Sequence, residues 1–512
     1  MKITAALQQA LPNKQKREFV MERLTHKTLI ESGYNGFIQP DAPERVLQFG
    51  EGNFLRAFVD YFFDVLNEKE GFNGKIAMVQ PIDRGLTDMI NEQEGLYTLY
   101  LQGSENGKAV RYKRVITSVS RCIDPYRDFD VFMDCAKNPD IRYIVCNTTE
   151  AGIAYSDADK FDDKPAKSFP AKLTRFMYDR FVAFEGRPDT GFVILSCELI
   201  DNNGKELLNC VEKYIKLWGL SDEFLKWIRE ENIFCSTLVD RIVTGYPRNE
   251  AENLNEENGY EDKLLDTGEV FGFWVIEGPE KLKDELPFAK AGLPVLVTDD
   301  HTPYKKRKVR ILNGTHTSMT PASMLAGEEI VRDCMEDKVI SGYVKKFIYE
   351  EIIPILPLPE AELLEFAGAV SDRFKNPYID HRLTDISLNS ISKWRARVMP
   401  SLLEYNEKFG RLPSLLSFSL AGLLRFYKGT ERDGEFYGKG EKEYLIRDDK
   451  DVCRYFANLP WEDTALAVKT ALANCDMWGR DLNEVSGLCD KVVGYINSID
   501  EIGAKATMES LI

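Results

Sequence analysis

A strand, a glycine-rich turn and an amphipathic helix follow one another early in the chain, and this order most constrains the fold. Residues 45–49 form a short apolar run that ends at Gly50. From Phe54 to Leu66 apolar residues recur three and four positions apart, which is the pattern of one helix face. Residues 75–79 then have the pattern of a second strand. A βαβ opening of this kind predicts a parallel sheet.

Two β-rich runs interrupt this alternation. Residues 96–101 and 109–119 flank an Asn-Gly pair at 106–107, and such a pair between β-rich runs is a strong hairpin signal. We therefore expect an antiparallel insertion within the parallel sheet. Strand patterns return at residues 143–146 and 191–197.

After about residue 308 the sequence changes character. Segments with helical periodicity follow one another, punctuated by Pro and Gly, at 322–335, 339–352, 360–374, 415–427, 464–472 and 482–499. The predicted fold class is therefore α/β, with a Rossmann-type N-terminal domain over residues 1–295. A mostly α-helical C-terminal domain over residues 296–512 is expected to complete the chain.

The charge balance limits the partners of the chain. There are 66 Lys and Arg against 83 Asp and Glu, which gives a net charge of −17. Because such a surface repels phosphate backbones and anionic lipid headgroups, we expect neither nucleic acid nor a membrane as a partner. If the substrate is an anion, its site must supply local positive charge.

The remaining composition favours a cytoplasmic protein without a metal. Gln8 and Gln9 interrupt the apolar run that a signal peptide would need, and no stretch reaches about 18 apolar residues. The ten cysteines form no C-x-x-C pair and are expected to be reduced. The four histidines show no metal-ligand spacing, so we predict no metal site.

The turn after the first strand is a candidate nucleotide site. Gly50 and Gly52 would let phosphates approach backbone N–H groups at the start of a helix. Leu55 stands where the third glycine of G-x-G-x-x-G would be, and an ordinary strand–helix turn is the alternative. The predicted cofactor-binding residues of this turn are Phe49, Gly50, Gly52, Asn53 and Phe54.

Polar residues that follow two further strands extend this prediction. Asp83 would bind the ribose hydroxyls and favours NAD, because a carboxylate repels the 2′-phosphate of NADP. Arg84 beside it can accept that phosphate, and a solvated turn acid is the other interpretation. Asn147 and Thr148 are predicted to meet the nicotinamide ribose, with helix capping or turn chemistry as the alternative.

The strongest candidate for chemistry lies at the start of the second half. On a helical path Lys308, Asn313 and His316 fall within an arc of about 140°, at about 100° per residue. A desolvated Lys can act as a general base toward an alcohol, and Asn and His can hydrogen-bond the developing alkoxide. The alternative is a solvated basic face, since residues 305–310 carry several cations.

Two other sites pair charges with apolar surroundings. Asp240 and Arg241 lie inside an apolar run, where burial is costly unless they are paired or take part in chemistry. A structural ion pair between domains is the alternative. Arg373, Lys393 and Arg395 lie next to aromatic residues. Most such cations are packed stems with solvated heads, but one or two of them could hold a substrate carboxylate.

With these residues in view, the sequence resembles the mannitol dehydrogenase family of long-chain, metal-independent polyol dehydrogenases. Three motifs carry the resemblance: G-x-G-x-F-x-R-A at 50–57, V-D-R-I at 239–242 and K-x-R-x-L-N-G-x-H at 308–316. The resemblance extends from about residue 44 to residue 427. Segments such as QFGEGNFLRAFVD at 48–60 are most similar to a branch of the family that acts on sugar acids.

The resemblance implies an NAD-dependent oxidoreductase with a substrate cleft between its two domains. It implies that Lys308 is the general acid/base and that Asn313 and His316 bind the reacting oxygen. The predicted substrate-binding residues are Asp240, Arg241 and Lys393. We expect a small sugar-acid substrate and a monomer or small homo-oligomer. A related sugar acid or a neutral polyol is the alternative substrate, and a non-catalytic nucleotide-binding protein is the alternative class.

One departure from the family pattern bears on the substrate. The polyol dehydrogenases carry an Asn directly after an S-C-D run, where it helps to form the oxyanion site. Here residues 196–198 (Ser-Cys-Glu) are followed by Leu199. If the amide is kept, Asn202 or Asn203 is expected to supply it. The departure favours a sugar acid over a polyol.

Overall fold

The computed structural model describes residues 21–105, 107–149 and 151–512. The first half of the chain is built on strands. These are β1 (Glu44–Phe49), β2 (Lys75–Val79), β3 (Tyr97–Glu105), β4 (Lys108–Ile116), β5 (Val119–Ile123), β6 (Tyr143–Cys146), β7 (Val193–Ser196), β8 (Ile233–Asp240), β9 (Asp266–Glu269), β10 (Phe273–Glu277) and β11 (Val295–Thr298).

Eight of these strands form one sheet in the order β11-β10-β8-β7-β6-β1-β2-β5. The run from β5 to β8 is parallel throughout, as the βαβ opening predicts. β10 then pairs antiparallel with β8, and β11 pairs parallel with β10. The strand order reverses between β1 and β6. In open α/β sheets ligands bind outside the carboxyl ends of the strands at such a reversal.

Helices cover both faces of this sheet. The helices of the first half are α1 (His26–Glu31), α2 (Asn53–Ala57), α3 (Val59–Glu70), α4 (Thr87–Glu92), α5 (Phe129–Asp134), α6 (Phe169–Ala183), α7 (Asn203–Leu217), α8 (Asp222–Glu231), α9 (Ala251–Asn258) and α10 (Leu282–Glu285), of which α1 and α9 pack near the smaller sheet instead. Adjacent residues of β1 enter different cores: Val46 packs with Phe62 of α3, whereas Leu47 packs with Phe176 of α6. Burial on both faces explains why the strands are continuous apolar runs.

The expected hairpin is present, but it is not inserted in the parallel sheet. β3 and β4 pair antiparallel, and β9 joins β3 to make a separate three-stranded sheet. The predicted run 109–119 ends early because the buried Asp64 carboxylate accepts hydrogen bonds from the N–H groups of Thr117 and Ser118. The chain turns there, and β5 returns to the main sheet. Asn106 lies outside the described residues.

The second half is helical. Its helices are α11 (Thr302–Arg307), α12 (Gly314–Leu325), α13 (Val331–Glu336), α14 (Lys338–Lys346), α15 (Glu360–Phe374), α16 (Leu383–Ile386), α17 (Ser390–Arg397), α18 (Met399–Phe409), α19 (Ser414–Phe426), α20 (Lys450–Ala457), α21 (Thr464–Leu472), α22 (Cys475–Trp478), α23 (Leu488–Ile502) and α24 (Ala504–Glu509). A small antiparallel sheet accompanies them, formed by β12 (Gly429–Arg432), β13 (Glu435–Lys439) and β14 (Glu443–Ile446).

The helical half has one large apolar core, and α19 lies inside it with nearly every residue buried. α12 packs against α19 where Gly422 faces Ala322, and a Cβ at Gly422 would lie 3.3 Å from the Ala322 Cβ. The predicted helix at 322–335 is two helices, because the chain breaks at Gly327, where φ is 85°. α12 therefore ends before Gly327 and packs in the core of the helical half.

The boundary between the halves falls in a short connection. β11 belongs to the main sheet and ends at Thr298, and α11 begins at Thr302. The predicted boundary at residue 295 stays a prediction. No helix within the described residues is long and apolar enough to span a membrane. The prediction for Gln8 and Gln9 lies outside the described residues.

Candidate active site

The predicted catalytic segment is a π-helical turn between two α-helices. Lys308–Asn313 is π-helical and joins α11 to α12 without a break. A π turn is wider than the α-helix assumed for the predicted arc, and such turns often occur at functional sites. The segment lies where the helical half meets the carboxyl end of β8.

Lys308 points at the end of β8 and not into solvent. Its Nζ donates a hydrogen bond of 2.8 Å to the Val239 carbonyl oxygen and lies 3.5 Å from Asp240 Oδ1. The neighbouring cations are used elsewhere: Lys306 and Arg310 both pair with Glu404. The cations of residues 305–310 therefore contact different partners. Lys308 is not part of the solvated basic face that was the alternative interpretation.

Asp240 is held by an arginine from the helical half. Arg373 Nη2 lies 3.0 Å from Asp240 Oδ1 and 2.7 Å from Glu269 Oε1. All three side chains are buried, and the two carboxylates raise the pKa of Arg373 above its ordinary value. The Arg373 guanidinium also lies 4.3 Å from the centre of the Phe271 ring. The sequence marked Arg373 only as a cation beside an aromatic, because its partners are distant in the chain.

Arg241 does not belong to this cluster. Its guanidinium donates to the carbonyl oxygens of Ala57 and Phe271 and lies over the ring of Tyr61. Burial lowers its pKa to about 10. β8 ends at Asp240, whose side chain meets Lys308 and Arg373, whereas the Arg241 side chain turns to the interior. The prediction that Arg241 binds substrate is therefore corrected.

His316 lies one turn beyond Lys308–Asn313, packed against aromatic rings. It stacks on Phe374 with ring centres 4.2 Å apart, and the His381 ring meets it edge-on at 5.1 Å. Burial, His381 and the nearby cations hold the pKa of His316 well below its ordinary value, so the ring is neutral. Its Nε2 is buried without a hydrogen-bond partner among the described residues. It can therefore hydrogen-bond a substrate without carrying charge.

The other two predicted residues of the helical half lie near this ring. Asn313 is half-buried at the start of α12, and its carbonyl oxygen accepts a hydrogen bond from Thr317 Oγ1. Lys393 lies on α17 and donates through Nζ to the Ile386 carbonyl oxygen. Burial, with the nearby Arg397, lowers the pKa of Lys393. The cations that lower the pKa of His316 include Lys393, so the structure brings these residues together.

A cleft of about 500 Å³ opens at the carboxyl ends of β6, β7 and β8. It is lined by Phe54, Asn147, Thr149, Ala151, Leu199 and Val239. Val239 lines this cleft, and its carbonyl oxygen accepts a hydrogen bond from Lys308. Lys308 therefore lies at the edge of the cleft.

The glycine-rich turn beside this cleft fits a dinucleotide. At Gly50 φ is 121°, and a Cβ there would lie 3.1 Å from the Asn147 carbonyl oxygen, so only glycine lets β1 and the β6 loop approach this closely. A Cβ at Gly52 would meet nothing within 4 Å, so the backbone at Gly52 faces open space. Phosphate oxygens can approach such an open backbone at a helix start.

The remaining predicted cofactor residues divide by position. Asp83 is exposed in the turn after β2, at the same edge of the sheet. The Phe49 side chain is buried against Phe132 and Phe169, so it serves the core. Asn53 Oδ1 accepts a hydrogen bond of 2.6 Å from Arg56 Nη2. The Phe49 side chain is therefore not available to a cofactor, and the predicted roles of the Phe49 backbone, Asn53 and Asp83 stay predictions.

Thr148 and Asn203 are used within the fold. The backbone N–H and the hydroxyl of Thr148 both donate to Glu198 Oε1 at 3.0 Å, so this hydroxyl positions the β6 loop. Asn203 is buried and donates to the carbonyl oxygens of Glu198 and Thr237, and Asn202 is exposed. The expectation that Asn203 replaces the family amide is therefore wrong. Leu199 itself is 64% exposed and lines the cleft.

Across the described part of the chain, no group of three or more His, Cys, Asp or Glu residues is placed to hold a metal ion. The ten cysteines are all unpaired, and most are buried. The proposed site chemistry rests on Lys308, Asp240 and His316.

Known families and proteins match nearly the whole described chain. The mannitol dehydrogenase Rossmann domain matches residues 44–290, and the mannitol dehydrogenase C-terminal domain matches residues 300–500. An altronate oxidoreductase of Yersinia enterocolitica is 47% identical over 474 residues, which cover 91% of this chain and 96% of that protein. One from Escherichia coli O7:K1 is 46% identical over 477 residues, covering 92% of this chain and 97% of that protein.

Solved structures show the same fold. The mannitol 2-dehydrogenase of Pseudomonas fluorescens, in a ternary complex with NAD and D-mannitol, has a TM-score of 0.67 at 22% identity, covering 96% of this chain and 99% of that one. A substrate-free D-sorbitol dehydrogenase has a TM-score of 0.76 at 21% identity, covering 95% of this chain and 100% of that one. The α/β fold class and the family resemblance are confirmed. The chain belongs to the mannitol dehydrogenase family.

Proposed function

We propose that this chain is an NAD-dependent oxidoreductase that interconverts D-altronate and D-tagaturonate. The observation that carries the proposal is the place of Lys308. Its Nζ lies 2.8 Å from the carbonyl oxygen of Val239, and Val239 also lines the cleft at the carboxyl ends of the strands. A proton donor and acceptor therefore stands at the edge of the nucleotide cleft. The altronate oxidoreductases that are 46–47% identical to this chain support the choice of substrate.

The glycine-rich turn is proposed to hold the cofactor. Gly50, Gly52 and Asn53 would face the pyrophosphate, Asp83 the adenosine ribose, and Phe54 and Asn147 the nicotinamide end of the cleft. The bound dinucleotide supplies the hydride chemistry. Asp83 supports NAD over NADP, because an exposed carboxylate at this position repels a 2′-phosphate.

The proton is proposed to move through Lys308. In reduction Lys308 gives a proton to the oxygen of the carbonyl group, and in oxidation it takes the proton from the alcohol. The Val239 carbonyl and Asp240 hold the ammonium in place from the sheet side. Arg373 in turn holds Asp240, so the position of Lys308 is set by both halves of the chain.

The reacting oxygen is proposed to lie against Asn313 and His316. The neutral His316 ring has an unpartnered Nε2, and the Asn313 amide lies at the start of the same helix. Two neutral hydrogen-bonding groups stabilise a developing alkoxide without competing with Lys308 for its proton.

The partners and the location follow from the proposed activity. The substrate is a small sugar acid, and the cytoplasm is the proposed location, because ten unpaired cysteines are typical of a reducing compartment. The expectations that nucleic acid is not a partner, and that the chain is a monomer or small homo-oligomer, stay predictions.

The experiment follows NADH absorbance at 340 nm with tagaturonate, fructuronate and fructose in parallel. We expect NADH to be consumed with tagaturonate and at least tenfold more slowly with the other two. Faster consumption with fructuronate or fructose would contradict the substrate. NADH fluorescence enhancement without turnover of any substrate, with NADPH also inactive, would show a non-catalytic nucleotide-binding protein.

A further inference from the structure

The active-site side of the helical half carries positive charge, although the whole chain has a net charge of −17. Burial is the largest cause of the lowered pKa of His316. Four neighbouring groups lower it further, namely His381, Arg373, Arg397 and Lys393. A local excess of cations in an acidic protein needs a reason, because unpaired cations repel one another and are costly to desolvate.

These cations differ in their partners. Arg373 is neutralised by Asp240 and Glu269. Among the described residues neither Arg397 nor Lys393 forms an ion pair, although both are half-buried. Burial is the one cause that lowers the pKa of Arg397, so no carboxylate of the described chain compensates it.

Arg397 lies against the first turn of α12. Its Nη1 lies 3.5 Å from Thr317 Oγ1, and a Cβ at Gly314 would come within 3.4 Å of the Arg397 carbonyl oxygen. Thr317 Oγ1 in turn donates to the Asn313 carbonyl oxygen. The guanidinium is therefore beside the turn that carries Asn313 and His316, and its contact to Thr317 is too long to use its hydrogen-bonding capacity.

Lys393 precedes Arg397 by four residues on α17, so both side chains project from one face of that helix. Lys393 Nζ uses one donor on the Ile386 carbonyl oxygen and keeps two. Two like charges at this spacing repel each other in the absence of an anion. A bound carboxylate would satisfy both.

Other cations near Lys308 are less suited to this task. Arg307 is buried between the rings of Phe273 and Phe366, with its guanidinium 4.4 Å from the Phe366 ring centre. Arg310 donates to Ser401 and Glu404. Neither presents a free fork to the site.

We infer that Arg397, together with Lys393, binds the carboxylate of the sugar-acid substrate and so distinguishes it from neutral sugars. The inference rests on the proposed function and names the group that selects the substrate class. A guanidinium can hold a carboxylate with two parallel hydrogen bonds, which an ammonium cannot. Lys393 adds a second positive charge on the same helix face, so the pair suits an anion better than either cation alone.

The test measures kcat and KM with NADH for tagaturonate, fructuronate, fructose and tagatose. The variants are Arg397→Met, Arg397→Lys and the control Arg395→Met. Arg395 is an exposed arginine of the same helix, and its guanidinium donates to the carbonyl oxygens of Asp476 and Met477, away from the site. We expect Arg397→Met to lower kcat/KM on the sugar acids by about ten- to a hundredfold, mainly through KM. Arg397→Lys should recover part of the loss, and Arg395→Met should match wild type.

The neutral sugars separate binding from folding. If Arg397→Met lowers activity on fructose and tagatose by the same factor, or leaves the sugar acids unchanged, the inference is wrong. Unchanged NADH fluorescence in every variant shows that the cofactor domain is intact. If wild type prefers fructuronate, the proposed substrate fails, but the carboxylate site stands when Arg397→Met loses that activity. If wild type reduces only neutral sugars, both fail.

A binding measurement covers an enzyme without turnover. With NAD⁺ present, altronate should raise the melting temperature of wild type and mannitol should not. The increase should be lost in Arg397→Met and kept in Arg395→Met. If altronate gives no increase, or if the increase survives in Arg397→Met, the carboxylate site is disproved.

Discussion

The two sides of the contact between the sheet domain and the helical half carry opposite charge. The sheet side contributes acids and backbone carbonyls, namely Asp240, Glu269 and the Val239 oxygen, whereas the helical side contributes Lys308, Arg373, Lys393 and Arg397. Within the described residues the acids of the sheet side are matched to Arg373 and Lys308, and the last two cations are left over.

This difference shows that two arginines of the helical half, Arg373 and Arg397, are held in different ways. Arg373 is 9% exposed and needs its two carboxylates, since an unpaired buried charge is strongly destabilising. Arg397 is half-buried, so water can solvate it until an anion arrives. Depth and pairing therefore separate a cation that joins the domains from cations that are available to a ligand.

The largest effect is expected at Lys308, whose ammonium lies 3.5 Å from Asp240 Oδ1. Lys308→Ala should lower kcat by about a thousandfold, because it removes the group that moves the proton. NADH binding, followed by fluorescence, should stay within twofold of wild type. Lys306→Ala, whose side chain pairs with Glu404 outside the site, is the control and should keep its activity. A Lys308→Ala enzyme with near-wild-type kcat would remove this residue from the mechanism.

The second effect tests the joint between the two sides. Arg373→Met leaves Asp240 and Glu269 buried without their counter-charge and should lower the free energy of unfolding by about 3–5 kcal/mol. Urea denaturation measures the loss. Arg454→Met breaks only exposed pairs, with Asp451 and Glu431, and should cost less than about 1 kcal/mol. Equal losses in the two variants would show that the buried joint is unimportant.

The third effect follows from the positive surroundings of His316. Because burial and nearby cations hold its pKa well below its usual 6.5, the folded protein keeps this ring neutral. As the pH falls below 6.5, the unfolded chain binds a proton here that the folded chain does not, so stability falls by up to about 1.4 kcal/mol per pH unit.

His316→Gln removes this contribution and should reduce the loss of stability between pH 7.5 and pH 5.5, measured by urea denaturation. The difference between variant and wild type at pH 7.5 gives the structural cost of the substitution and is subtracted. An unchanged pH dependence would mean that the ring is protonated in the folded protein.

The smallest effect lies at the outer end of the nucleotide cleft, away from the cation excess. Asp83→Ser removes an exposed carboxylate and should raise kcat/KM for NADPH relative to NADH by about fivefold, which corresponds to about 1 kcal/mol at high dielectric. Asp88→Ser, which alters a nearby exposed acid paired with Arg127, should leave the ratio unchanged. If the ratio of kcat/KM for NADPH to that for NADH is the same in both variants, Asp83 does not determine the choice between the two cofactors.

The sequence determined the elements and the chemical types. Strand and helix periods, the glycine turn at Gly50 and the hairpin pattern are local signals, so they predicted the parallel sheet, the β3–β4 pairing and the helical second half. The motif 308–316 brought candidate catalytic residues into one short segment, and their roles stay predictions. Local patterns succeed in such cases because backbone hydrogen bonding and side-chain period are set by near neighbours.

Only the tertiary structure decided where each side chain goes. The hairpin joined β9 in its own sheet, Arg241 turned to the interior, and Thr148 bound Glu198. Arg373 pairs with Asp240, which lies 133 residues earlier in the sequence. Charges become partners or remain free according to which distant elements pack together. For that reason the sequence supplied the cations of this cleft, and the fold decided which of them remain available to bind an anion.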